Sequence, residues 1–302
     1  MNKNFKSGYI AVIGETNVGK STIINRLIKE NLSIVTPKPQ TTRKNILGIY
    51  TNNAMQAIFI DTPGLHKRES KLSDILNFEA MKNIKDADLV IHVVSLKEKK
   101  ISEFNFKIIE SLKKENKKAI LILNKEDMVK NEHILLKISE YSKRYNYISI
   151  IPISAKTEKG TRLETLYDEI YRALPFGPKY FPDDEYTNGS IREMVEEIIR
   201  LKVLKFVREE IPHEIYVEVI KFKNRKTRNR ENITDIEANI YVSRENHKGI
   251  VIGKNGEMLK KIGTTARLDI EKLLDEKVNL KLFVKLKKNW LDDPNIIKRF
   301  KS

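Results

Sequence analysis

Cysteine is absent from the 302 residues, which excludes disulfides and thiolate metal sites and fits a reducing cytoplasm. No apolar run approaches the ~18 residues that a membrane-spanning helix requires. Met1 to Ser7 lead straight into an apolar segment, so no signal peptide is expected. Acidic residues are the scarcer charge, 41 against 57 basic, for a net charge of +16. Residues 1–180 hold 31 basic and 20 acidic side chains, and residues 181–302 hold 26 and 21. A basic excess on both halves suits a nucleic-acid or other anionic partner, and it equally suits a lysine-rich composition without one. The single tryptophan, Trp290, is left to stack on a base or to pack. His92 lies in an apolar run and is expected to be a satisfied core histidine.

What is present is more specific. Tyr9 to Ile13 form a short apolar run that reads as a buried parallel strand. Gly14-Glu15-Thr16-Asn17-Val18-Gly19-Lys20-Ser21 follows, and from Ser21 and Thr22 onward apolar residues recur at helical spacing. Strand, glycine-bearing loop and helix together make a P-loop. Gly14 and Gly19 permit backbone conformations in which successive N–H groups face phosphates, and the helix N-terminus adds its dipole. Lys20 would reach the β- and γ-phosphates, and Ser21 would ligate Mg²⁺.

Three further elements select guanine nucleotides. Asp61 ends the apolar run Ala57 to Ile60, where a carboxylate gives Mg²⁺ an oxygen partner. Gly64, in Asp61-Thr62-Pro63-Gly64, offers an N–H to a γ-phosphate that GTP has and GDP lacks. Asn124-Lys125-Glu126-Asp127 follows the apolar run Ala119 to Leu123. The Asp127 carboxylate can accept from guanine N1–H and N2–H₂, a donor pair that adenine lacks. Asn124 would brace the loop and the base. In Ser154-Ala155-Lys156, the Ala155 N–H is expected to face guanine O6. Between the P-loop helix and the next strand, Pro37 to Arg43 read as a mobile loop. Thr42 is the candidate Mg²⁺ ligand there, with the adjacent Thr41 as the alternative.

Apolar strands alternate with helical stretches to about residue 173, the pattern of a doubly wound, mostly parallel α/β sheet of the P-loop NTPase class over residues 1–174. A Pro-containing polar linker is expected over 175–189, and a smaller α+β domain over 190–302. There, a helix over Ser190 to Val207 precedes strands over Glu214 to Phe222 and Ile233 to Val242. A helix to about Leu274 and a strand over Val278 to Leu286 follow. Between the strands, residues 221–230 hold six basic and no acidic side chains, expected on a hairpin loop that is solvated or touches RNA. Lys248, Gly249, Ile252, Gly253, Lys254, Asn255 and Gly256 place a Gly-Lys-Asn-Gly turn between two helices. This is the signature of a KH module, in type II order, whose glycines let the backbone approach a nucleic-acid backbone.

The combination resembles the Era family of bacterial GTPases. The residues carrying the likeness are Gly14 to Thr22, Gln40 to Arg43, Asp61 to Gly64, Asn124 to Asp127, Ser154 to Lys156, Gly253 to Gly256, and Asn289 to Pro294. The resemblance implies GTP hydrolysis to GDP and phosphate with Mg²⁺, and binding to the 3′ end of 16S rRNA. It further implies a role in assembling the small (30S) ribosomal subunit, by a cytoplasmic monomer with loose peripheral membrane association. Leu65 stands where other GTPases place a water-orienting glutamine. In similar GTPases the residue at Asn17 ligates K⁺, so K⁺ is an expected source of transition-state charge, with Lys20, Thr42, Gly64 and Asn17 as the catalytic set. A different class of function also fits these motifs: an RNA-binding scaffold that holds guanine nucleotide without turning it over.

Overall fold

The computed structural model describes residues 5–28, 46–61, 71–157, 161–183, 185, 190–207, 215–226, 232–288, 290 and 293. Thr41, Thr42, Gly64 and Leu65 lie outside the described residues. The chain divides into two compact units, Met1–Asn188 with Lys298–Ser302, and Gly189–Ile297.

In the first unit, strands β1 (Lys6–Ile13), β2 (Ile46–Thr51), β3 (Met55–Asp61), β4 (Leu89–Ser95), β5 (Ala119–Asn124) and β6 (Ser149–Ile153) form one sheet. Its order is β2-β3-β1-β4-β5-β6. All neighbours are parallel except β2 and β3, which form a hairpin closed by the tight turn at Asn52. The central strands carry apolar side chains on both faces because helices cover both. Ile10, Val12, Phe59, Ile91 and Ile122 belong to one core with α1 (Lys20–Ile28) and α5 (Thr161–Ala173). Ala11, Ile13, Val90, Val94 and Leu121 belong to the other, with α2 (Lys71–Asp86), α3 (Glu103–Lys114) and α4 (Asn131–Ser142). Each of the buried Val, Leu, Ile and Phe side chains contributes roughly 1.5–3 kcal/mol of transfer free energy.

His92 is fully buried in β4 between the Tyr147 hydroxyl (2.9 Å) and Asn105 Oδ1 (3.0 Å), the satisfied core histidine expected from sequence. Residues 175–183, placed in the linker by sequence, pack on this unit. Gln56 bonds the backbone of Tyr180 and Phe181, and Ser7 Oγ donates to the Pro178 carbonyl at 2.6 Å.

The second unit runs α6 (Ile191–Phe206), β7 (Ile215–Lys226), β8 (Asn232–Val242), α7 (Glu245–Ile252), α8 (Glu257–Leu274) and β9 (Lys277–Leu286), the αββααβ order expected of a type II KH module. A capping box between Ser190 and Glu193 starts α6. β7 pairs antiparallel with β8, and β8 parallel with β9. Val195, Ile199 and Val203 of α6 and Ile262, Ala266 and Ile270 of α8 pack on Ile236, Ala238 and Ile240.

One expectation is corrected here, and of the two roles left open for Trp290 the structure shows packing. The basic run does not lie wholly on a loop: Lys221 to Lys226 are strand, and Lys221 and Arg225 pair with Glu237 (3.0 Å) and Asp235 (2.6 Å) of β8. Cross-strand acids make those bases part of a ladder. Trp290 is fully buried, its ring 5.7 Å from that of Tyr216, so it packs rather than presenting a face to a base.

Candidate nucleotide site and nucleic-acid interface

The loop after β1 stands at the C-terminal end of the sheet, at the position where the chain leaves β1 for one edge and β4 begins the other. Ligands bind doubly wound sheets at such switch points. Two glycines are required there sterically. A Cβ on Gly14 would collide with the Val93 carbonyl of β4, and one on Gly19 would collide with the Asn124 side chain. Gly19 also has φ +106°, a conformation that L side chains rarely adopt. Val18 is 4 % exposed and anchors the loop in the apolar core, while Asn17 stands exposed with φ 61°.

Lys20 opens α1 and is buried. Its ammonium donates to the Gly14 carbonyl at 3.1 Å and the Glu15 carbonyl at 2.9 Å, so it spans the loop it belongs to. Burial lowers its pKa to about 8, partly offset by the carboxylates of Asp61 and Glu15. Asp61, at the end of β3, is fully buried. A buried carboxylate and the Ser21 hydroxyl in the first turn of α1 are hard oxygen donors, and they suit Mg²⁺.

Asn124 joins the motifs. From the end of β5 its Nδ2 donates to the Val18 carbonyl at 2.6 Å, and its Oδ1 accepts from the N–H groups of Lys125 (2.8 Å) and Ala155 (3.0 Å). The Ala155 N–H expected to face a base is thus held by Asn124. Lys125 adopts φ 69°, and its ammonium donates to the Asn17 carbonyl at 2.5 Å. Ser154 Oγ donates to Asp127 Oδ1 at 2.6 Å, fixing an exposed carboxylate that retains acceptor capacity for a ligand. Arg26 of α1 donates to the carbonyls of Ala155 and Lys156. The fold therefore brings Gly14 to Thr22, Asp61, Asn124, Lys125, Asp127 and Ser154 to Lys156 to one end of one sheet.

In the second unit, Lys254 and Asn255 are exposed between α7 and α8. Gly253 (φ 74°) and Gly256 (φ 79°) make the turn, and a Cβ on Gly253 would come within 2.6 Å of the Met258 Cβ. Lys248, Gly249 and Ile252 lie on the preceding helix α7. Beyond this turn a groove of about 390 Å³ continues between α8 and β9. Leu259, Leu280 and Leu282 supply its apolar surface, and Lys260, Thr264 and Arg267 its polar surface. Sequence reasoning stopped at Gly256 and missed these. The signal available was the stripe Gly256-Lys260-Gly263-Arg267 along one helix face.

Comparison with known proteins agrees with both halves. A family model described as 50S ribosome-binding GTPase matches residues 9–125, and a KH domain model matches residues 210–291. GTPase Era of Caldanaerobacter subterraneus subsp. tengcongensis is 43 % identical over 295 residues, covering 98 % of this chain and 97 % of the relative. GTPase Era of Clostridioides difficile is 43 % identical over 297 residues, covering 98 % of each. Among solved structures, Era in complex with MgGDPNP and nucleotides 1506–1542 of 16S ribosomal RNA superposes with a TM-score of 0.91 at 34 % identity, over 98 % of both chains. An Aquifex aeolicus Era variant bound to GDP.AlF4- gives the same TM-score and identity, over 98 % of this chain and 99 % of that one. With phosphate-loop and base-loop motifs on one sheet, a KH unit after it, and relatives matched end to end, the chain belongs to the Era family of GTPases.

Proposed function

We propose that this GTPase uses its nucleotide cycle to control binding of the 3′ end of 16S rRNA by its KH unit, acting in the cytoplasm in assembly of the 30S subunit. The observation that supports the reading is the coexistence of two features in one chain: a guanine-nucleotide loop set knit together by Asn124 and Ser154, and a Gly-Lys-Asn-Gly turn with exposed Lys254 and Asn255 opening onto a groove. The related Era seen with the 1506–1542 fragment supports the choice of RNA. The chain's basic character would also suit a weak contact with an anionic membrane surface, but the Gly-Lys-Asn-Gly turn favours RNA.

In this proposal Lys20 carries charge to the β- and γ-phosphates, and the N–H groups of Gly14 to Thr22 cradle them. Ser21, Asp61 and Thr42 would hold Mg²⁺, which neutralises phosphate charge when bound. Gly64 senses the γ-phosphate. Asp127 reads guanine, with Asn124, Lys125 and Ser154 to Lys156 holding it in place. Leu65 cannot orient a water, so K⁺ at Asn17 would supply transition-state charge. The exposed amide of Asn17 offers an oxygen suited to that ion. Phosphate release under multiple turnover, with and without RNA, in K⁺ and in Na⁺, tests the reading. Turnover faster in K⁺ and responsive to RNA supports it. Equal rates in both salts remove the K⁺ role, and negligible turnover in every condition leaves a nucleotide-bound scaffold.

A further inference from the structure

Arg26 lies in the last turn of α1, the helix that Lys20 opens, and it reaches the loop after β6. Its Nε donates to the Ala155 carbonyl, and its Nη2 donates to the Lys156 carbonyl at 3.0 Å. These acceptors stand 129 and 130 residues away in sequence. A guanidinium presents its donors in a planar fork, so gripping two successive carbonyls fixes two successive peptide planes. Helix α1 gives the fork a rigid base, because Ile23, Ile24 and Leu27 are fully buried in the apolar core.

The orientation of those planes decides which amide faces a ligand. No cis peptide bond occurs among the described residues, so each N–H points opposite to the carbonyl of the residue before it. The Ala155 carbonyl faces Arg26, and the Lys156 N–H is therefore turned away from Arg26. The neighbouring amides are already engaged. The Ala155 N–H donates to Asn124 Oδ1 at 3.0 Å, and the Thr157 N–H donates to Ser154 Oγ at 3.3 Å. The Lys156 N–H has no acceptor among the described residues, and Lys156 is exposed. Ser154 Oγ also donates to Asp127 Oδ1, which ties the loop bearing this amide to the carboxylate assigned to the base.

We infer that Arg26 is a positioning residue for guanine recognition: by holding the Ala155 and Lys156 carbonyls it aims the Lys156 N–H at guanine O6. This rests on the reading of Asp127 and the Ser154-Ala155-Lys156 loop as the base site. Asp127 accepts from N1–H and N2–H₂, and the Lys156 N–H supplies the donor that the same edge needs at O6. Adenine carries an amino group at that position and meets a donor with a donor. Arg26 touches no part of the nucleotide in this assignment. It acts through the loop, and it joins that loop to the helix whose first residue, Lys20, serves the phosphates.

The test measures equilibrium binding of GDP, 6-thio-GDP and inosine diphosphate to the full chain with Mg²⁺. The thio analogue keeps both donors to Asp127 and replaces O6 with sulfur, a weak acceptor, whereas inosine diphosphate keeps O6 and lacks the N2 amino group. The wild type is expected to prefer GDP over 6-thio-GDP by roughly three- to tenfold. Arg26→Met should weaken GDP and inosine diphosphate by that factor and leave 6-thio-GDP nearly unchanged. The preference for O6 over sulfur then collapses, while the preference for GDP over inosine diphosphate keeps its wild-type value. Arg26→Lys, with one ammonium for two carbonyls, should fall between. A purely structural tie would weaken all three nucleotides alike, and that outcome would overturn the assignment. So would a wild-type ratio of GDP to 6-thio-GDP affinity in Arg26→Met, or in Arg26→Lys if the methionine variant does not fold. Equal binding of GDP and inosine diphosphate by the wild type would instead overturn base reading by Asp127, and the role of Arg26 with it.

Discussion

Gln56 and Phe181 hold one another by a reciprocal pair of hydrogen bonds: the Gln56 amide oxygen accepts the Phe181 N–H at 3.0 Å, and its amide nitrogen donates to the Phe181 carbonyl at 2.9 Å. Gln56 also accepts the Tyr180 N–H at 2.7 Å and donates to Thr51 Oγ1 at 3.0 Å, so a fully buried amide is satisfied on both sides. Gln56 belongs to β3, the strand that ends at Asp61. The chain leaving the first unit is thus fastened to the hairpin that bears a nucleotide-site carboxylate. Gln56→Leu keeps the volume and removes all four bonds. It should cost about 1–3 kcal/mol in unfolding free energy and speed hydrogen exchange at the Tyr180 and Phe181 amides. Wild-type exchange at those two amides would contradict the anchor.

Gly19→Ala should weaken GDP and GTP binding by roughly ten- to a hundredfold, from backbone strain of about 1–3 kcal/mol at positive φ. The added methyl would also push Asn124 off the Val18 carbonyl. Titration with a fluorescent guanine nucleotide reads the effect. Unchanged affinity would show that the Gly19–Asn124 contact does not shape the site.

The pKa of about 8 at Lys20 in the free protein predicts proton-linked nucleotide binding. Phosphates favour the charged ammonium, so above pH 8 binding must take up a proton. GDP affinity should be flat below pH 8 and fall by up to about tenfold per pH unit above it. Calorimetry at pH 7 to 9.5, in buffers of different ionisation enthalpy, checks both the affinity and the proton count. A constant affinity across that range contradicts the prediction.

His92 gives a linkage on the acid side. Burial lowers its pKa from 6.5 to about 4, partly opposed by its bond to Asn105. Between those values the unfolded chain carries a proton that the folded chain does not. The stability tied to neutral His92 is complete above about pH 6.5 and is lost as pH falls toward 4. The loss is on the order of 3 kcal/mol, at 1.36 kcal/mol per pKa unit. Melting temperature should fall more steeply between pH 6.5 and 4.5 in the wild type than in His92→Gln. Parallel curves would contradict it.

Some of this was legible in the chain and some was not, for physical reasons. The phosphate and base loops follow buried strands, and each demands particular residue types at fixed offsets, so Gly14, Lys20, Asp61, Asn124 and Asp127 could be picked out directly. The Gly253 turn was visible because two glycines separated by two residues punctuate helices. The strand over Lys223 to Lys226 was hidden, because Arg225 is balanced by Asp235 on another strand, and pairing across strands leaves no local period. Gln56 was silent for a similar reason: its partners are 124 and 125 residues away. Gly263 and Arg267 line a groove only because β9 stands opposite them, which a helix read alone does not reveal.

The central claim is that nucleotide state governs RNA binding at the Gly-Lys-Asn-Gly turn. Its most direct test is the affinity of a 16S rRNA 3′-end oligonucleotide in GDP and in a non-hydrolysable GTP analogue, repeated with Lys254→Asp and Asn255→Asp together. Both side chains are exposed, and Asn255 (φ 52°) occupies a conformation that aspartate tolerates, so the double variant should fold. Tighter binding with the GTP analogue than with GDP, abolished in the variant, is the predicted result. Equal binding in both nucleotides would contradict the account and leave two independent sites in one chain.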